Sequence, residues 1–119
     1  MSVKHAADVA EEVVAAGRGT TRQVLIGPDE GPHFALRRFI MQPGGGIPAH
    51  TNTVEHEQYV LRGRAKIRIG EKVHDVAPDH TLYIPAGVPH SYEVVEGPFE
   101  FLCVVPNRAD TIRIVEETC

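Results

Sequence analysis

Glycine and proline interrupt this chain so often that no apolar run goes far before it is stopped. Eleven Gly and nine Pro are spread over 119 residues, and both residue types break helices and end or turn strands. What lies between the breaks is short and built mainly from Val, Ile, Leu and Ala, with few aromatics and no Trp. Short apolar runs bounded by turn residues read as strands. The chain is therefore expected to be all-β, and its length is that of one domain.

The strands can be placed one by one. Arg22 to Ile26 is stopped by Gly27-Pro28-Asp29-Glu30-Gly31-Pro32, and Phe34 to Gln42 ends at Pro43-Gly44-Gly45-Gly46. Gln58 to Leu61 stops at Arg62-Gly63. Ala65 to Ile69 alternates apolar with basic residues before Gly70-Glu71 turns it back into Lys72 to Val76, a hairpin with one wet face. Thr81 to Ile84, Ser91 to Val95 and Phe99 to Val105 complete a set of eight or nine. Ala6 to Ala16 reads either as a short helix or as a strand and turn. With no tandem repeat and no linker, the pattern points to a closed antiparallel barrel or jelly roll, which hides its edges and leaves an interior pocket. Residues 1–33 are expected to form an N-terminal strand or arm that packs on the barrel or on a partner subunit, and residues 34–119 the barrel itself.

Charge and hydropathy narrow the partners. A net charge of -4 and a pI near 5.9 argue against a surface that tracks phosphates, so nucleic acid is not an expected partner. No apolar run is long enough to span a bilayer and the N-terminus lacks a leader pattern. A membrane is not an expected partner either, and the expected compartment is the cytoplasm. Cys103 and Cys119 do not form a disulfide framework and read as reduced thiols.

Three histidines stand apart from the rest. His50 and His56 fall in Gly46-Ile47-Pro48-Ala49-His50-Thr51-Asn52-Thr53-Val54-Glu55-His56-Glu57, and His90 closes Pro85-Ala86-Gly87-Val88-Pro89-His90. All three sit in turn-rich settings where strands begin. His50 and Asn52 are two apart and share a face of an extended segment, while His56 opens the apolar run that follows. One inward cluster can collect them. Imidazole suits Zn, Cu, Fe and Ni, and three neutral ligands leave coordination positions open for water or substrate. A single such histidine is more often a core or surface side chain, so the grouping carries the reading. His5, His33, His74 and His80 fall in turns, at strand edges or near the terminus, where exposure is expected. Pro85, Gly87 and Pro89 read as structural, fixing the turn that aims His90. Gly44 to Gly46 lacks the Lys and Ser/Thr of a phosphate loop.

With these residues in place, the chain resembles the cupins. The first half of the cupin signature is matched by Gly44, His50, Asn52, His56 and Gly63, the second by Pro85, Gly87 and His90, and the likeness runs from about Phe34 to Pro106. Glu55 to Gly63 is similar to small bacterial single-domain cupins whose metal is held by four histidines. The resemblance implies a cupin double-stranded β-helix, a jelly-roll barrel. It also implies one divalent transition metal (Mn, Fe, Ni, Cu or Zn) on His50, His56 and His90, with Asn52 where the fourth His would stand. An amide oxygen is a harder, weaker donor than imidazole, so Asn52 binds Mn or Fe through oxygen, binds through a water, or does not bind. Asp79 for Gly and Val94 for Asn are further departures, read as turn and packing variants.

Strand parity sorts the remaining side chains. If His56 faces in, so do Gln58 and Val60, while Glu57, Tyr59 and Leu61 face out. That sets Glu57 away from a role as base, and the apolar outer face suits a homodimer. Arg37, Phe39 and Met41 share one face and Arg38 and Ile40 the other, with Arg37 the arginine expected inside. A buried guanidinium needs a partner, and a substrate carboxylate is a candidate. Phe99, Phe101, Cys103 and Val105 share a face that by resemblance lines the pocket, although Cys103 also reads as a small core residue. The expected pocket residues are Arg37, Ile47, Gln58, Phe101 and Cys103. No residue is assigned as catalytic. The leading expectation is an oxygenase-like enzyme acting on a small, anionic organic substrate. A metal-dependent isomerase or lyase of a sugar or keto acid, and a small-molecule-binding protein without catalysis, stand as alternatives.

Overall fold

In the computed structural model, which describes residues 1–115, almost every element is a strand. Cys119 lies outside the described residues. The strands are β1 (Glu12–Val13), β2 (Arg18–Ile26), β3 (Phe34–Thr51), β4 (His56–Ile69), β5 (Lys72–Val76), β6 (Thr81–Ile84), β7 (His90–Pro106) and β8 (Arg113–Ile114). The ambiguous N-terminal segment contains both of its readings, a single 3-10 turn at Ala6–Asp8 and then β1. The all-β jelly-roll expectation is what the structure shows. No helix among the described residues is long and apolar enough to cross a membrane.

Every pairing is antiparallel, in the order β1-β2-β3-β7-β4-β5, with β6 on β4 and β8 on β3. The C-terminal half of β7 pairs with the first halves of β3 and β4, and its N-terminal half with their second halves. Three long strands thus bend at one level and fold the sheet over on itself.

The bends correct the strand boundaries expected from sequence. Pro43 to Gly46, Arg62-Gly63 and the stretch between Val95 and Phe99 were expected to end strands, yet each lies within a continuous one. The ladder survives because the chain bulges there, with register shifts between Met41 and Gly46 and between Val60 and Ala65. Gly63 has φ 80°, and a side chain on it would run into the carbonyl oxygens of Pro98 and Glu96. The bulge also resets the alternation. His56, Gln58 and Val60 are buried before Gly63, Ala65 and Ile67 after it. Without that change of phase one of the two layers would turn its apolar side to water.

Met41, Val60, Ile67, Ile84, Phe99, Phe101 and Cys103 fill the space between the layers. Phe101 stacks nearly parallel on Phe39 at 5.1 Å and on Tyr92 at 5.3 Å, forming an aromatic column. Outside, Tyr59 and Leu61 are exposed as parity required, beside Tyr83 and Phe34. Arg38 points out and pairs with Glu100 at 3.1 Å. Asp79 has φ 74° and accepts a 2.6 Å hydrogen bond from the Tyr59 hydroxyl. A left-handed backbone is the reason a glycine suits that position, and a short carboxylate side chain is among the few that tolerate it.

Candidate metal centre

His50 near the end of β3 and His90 at the start of β7 are register partners, which places their rings 4.1 Å apart. His56, the first residue of β4, brings its ring to 5.9 Å from that of His90. Asn52 follows β3 by one residue, and all four side chains are buried. They line a cavity of about 310 Å³ together with Arg37, Ile47, Gln58, Tyr92 and Phe101. Of the residues expected around the pocket, Arg37, Ile47, Gln58 and Phe101 form its wall, whereas Cys103 lies behind it against His56. His5, His33, His74 and His80 are exposed.

The rings are oriented by their Nδ1 atoms. His50 donates from Nδ1 to the Pro48 carbonyl at 2.8 Å and His90 to that of Val88 at 3.0 Å, and each bond leaves Nε2 with its lone pair free. His56 Nδ1 lies 3.3 Å from Cys103 Sγ. That sulfur also accepts from Arg37 Nη2 and from Gln58 Nε2, both at 3.6 Å. Burial pushes His56 down to about 3, helped by Arg37, and His90 down to about 4, helped by His50; His50 is lowered as well. All three are neutral at pH 7, the state a ligand needs.

The donor types gathered here, imidazole nitrogens and one amide oxygen, are of the kind that suits a divalent metal. Nε2 of His56, Nε2 of His90 and Oδ1 of Asn52 are buried without any hydrogen-bond partner. Orphaned buried acceptors are costly unless something satisfies them, and these three belong to the proposed ligand set. Among the described residues no three His, Cys, Asp or Glu side chains stand together as a formed metal cluster.

The sequence did not point to Asp110, which lines the cavity and accepts from Asn52 Nδ2 at 3.0 Å. It lies in a polar stretch with no periodicity to mark it. Val14, Ala16, Arg22, Tyr92 and Ile112 also reach the cavity. Tyr92 shared the parity of His90 and was the one among them open to detection. Arg37 lies with Cζ 5.1 Å over the Phe39 ring and with Nε unpartnered. Tyr92 and Gln58 are hydrogen-bonded side chain to side chain at 2.8 Å. Burial pushes the Tyr92 hydroxyl up and keeps it protonated. Glu57 is exposed, and a hydrogen bond with Glu55 raises it.

Residues 37–105 match the model of the cupin domain family. The chain is 32% identical over 66 residues to mannose-1-phosphate guanylyltransferase 2 of Escherichia coli O157:H7, covering 55% of this chain but 14% of that protein. It is 32% identical over 108 residues to 1-methylthio-D-xylulose 5-phosphate methylsulfurylase of Rhodospirillum rubrum, covering 90% of this chain and 69% of that one. The structure is similar to that of the polyketide cyclase RemF from Streptomyces resistomycificus, with a TM-score of 0.89, 32% identity, and coverage of 99% of this chain and 87% of that chain.

Proposed function

The chain belongs to the cupin domain family, and from that premise we propose that it is a metal-dependent enzyme acting on a small, carbonyl-bearing organic anion. The ligands are His50, His56, His90 and Asn52. The observation that carries this reading is the set of buried, unpartnered donor atoms on the wall of a cavity that also holds a guanidinium. A divalent transition metal bound there supplies Lewis acidity to a substrate oxygen, with neutral donors leaving its positive charge intact.

The chain's own residues do the rest. Arg37 presents an unpartnered Nε and pairs with a carboxylate or enolate oxygen. Phe39, Phe101 and Tyr92, stacked on one another, give the cavity a rigid aromatic side. Tyr92 keeps its proton at neutral pH and so donates a hydrogen bond instead of acting as base. Val14, Ile47 and Ile112 give the cavity apolar lining for the carbon skeleton of the substrate. Likeness to a polyketide cyclase supports cyclisation of a carbonyl compound ahead of oxidation. Oxygenase chemistry is kept as the second reading because an imidazole-rich site also suits Fe and Cu. We also propose a homodimer formed through the outer face of Phe34, Tyr59, Leu61 and Tyr83, with elution as a monomer as the overturning result.

The test uses protein purified without a histidine tag. Elemental analysis is expected to find one divalent transition metal per chain, lost in His90→Ala. Conversion of 2-oxo acids and poly-β-carbonyl compounds is then followed under nitrogen and in air. Turnover under nitrogen supports the proposal, turnover that needs oxygen replaces it with the oxygenase, and ligand binding without turnover reduces the protein to a binding module.

A further inference from the structure

We infer that Asp110 is a positioning residue that makes Asn52 an oxygen ligand, by holding its amide so that Oδ1 and not Nδ2 faces the metal position. This rests on the metal-centre reading above and goes beyond it, since that reading takes Asn52 Oδ1 as a donor without saying what turns it inward.

A primary amide presents two donors on one side and an acceptor on the other, and only the oxygen has lone pairs suited to a metal. Which end faces inward depends on what the other end is given. Here Nδ2 is taken by Asp110 Oδ2 at 3.0 Å, while Oδ1 is buried with no partner. Asn52 as a whole is 4% exposed, so water does not compete freely for that oxygen.

Asp110 is itself held. Its Oδ1 accepts from Thr53 N at 2.9 Å and from Thr53 Oγ1 at 3.2 Å, and Thr53 Oγ1 in turn accepts from Thr111 N at 3.0 Å. The segment is brought into place by β8, which pairs Ile114 with His50 and Arg113 with Thr51. The strand that carries His50 thus also docks the chain that orients Asn52. Both oxygens of Asp110 are engaged, which suits it to support a ligand. The result is a hard oxygen donor beside three imidazoles, a set that favours Mn(II) more than an all-histidine set does.

The test is titration of metal-stripped protein with Mn(II) and with Zn(II), using wild type, Asn52→Ala, Asp110→Ala, Asp110→Asn and Asn52→Ala/Asp110→Ala, each checked by circular dichroism. Loss of a supporting partner typically weakens metal binding by about 10- to 100-fold. Asp110→Ala is expected to weaken Mn(II) by that factor and Zn(II) by less, and the double variant is expected to be no weaker than Asn52→Ala alone. Asp110→Asn, close to isosteric, is expected to fall between wild type and Asp110→Ala and serves if the alanine variant does not fold. Equal losses for both metals, additive losses, or no loss would overturn the inference while leaving the metal centre standing. A wild type that binds neither metal, and does not differ from His50→Ala, would overturn the metal centre and the inference together.

Discussion

The four inward donors fall into two pairs that are held in different ways. His50 and His90 are tied through Nδ1 to carbonyls two residues earlier in the chain, Pro48 within β3 and Val88 in the turn before β7. His56 and Asn52 are tied to side chains 47 and 58 positions away, Cys103 and Asp110. Local backbone suffices for the first pair, since a proline near each His fixes the extended approach and the carbonyl comes with it. The second pair exists only once β7 and the segment after it have docked. Half of the centre is therefore written into short motifs and half into tertiary structure, and only the second half can be undone by removing a partner side chain.

The largest effect is expected at Cys103. Cys103→Ala removes the Nδ1 partner of His56 and is expected to weaken divalent metal binding by roughly 10- to 100-fold, as loss of a supporting hydrogen bond to a ligand does. Truncating so small a buried side chain should cost on the order of 1 kcal/mol of stability, readable by urea denaturation. Cys103→Ser keeps a polar atom at the position and is expected to recover part of the affinity. Metal titration of the three proteins checks this. An alanine variant that binds as tightly as wild type would show that His56 needs no partner, and the two pairs would no longer differ.

The same division explains what could be read from the chain. His50, His56 and His90 stood out because motif residues surround them, and the inward facing of His56, Gln58 and Val60 followed from a period of two. Gly44 to Gly46, Gly63 and Gly97-Pro98 misled because a glycine that ends a strand and one that bends it look alike in sequence. Only the packing of the bends, with Gly63 set against the carbonyls of Glu96 and Pro98, distinguishes them. Asp110 and the partnership of Cys103 with His56 were invisible for another reason. Neither contact is implied by spacing or periodicity, and both depend on register between distant strands.

A smaller effect is expected from acid. Carbonyl bonds favour the protonated form of His50 and His90 and so oppose the lowering by burial, whereas His56 has no such bond and is lowered furthest, to about 3 against about 4 for His90. In metal-free protein all three rings are expected to hold out against protonation below the ordinary 6.5, which NMR of the ring protons can follow. Because these pKa values lie below the ordinary 6.5, the unfolded chain binds protons that the fold refuses. Stability is then full above about pH 6.5 and declines on acidification, toward pH 4 for His90 and pH 3 for His56. The slope is roughly 1.4 kcal/mol per pH unit for each such histidine. Urea midpoints that do not move between pH 7 and pH 5 would contradict this.

The smallest effect is expected at Pro48, where the backbone-held pair can be loosened but not dismantled. Its carbonyl, not its ring, holds His50, so Pro48→Gly leaves the acceptor in place and adds freedom to the unfolded chain. The expected loss is about 0.4 to 1 kcal/mol of stability, with metal affinity reduced by no more than about 5-fold, the same energy expressed as binding. Thermal melting and metal titration of one preparation give both figures. A loss of affinity as deep as that of Cys103→Ala would mean that the proline ring, and not the carbonyl, positions His50, and the first pair would then depend on a side chain as the second does.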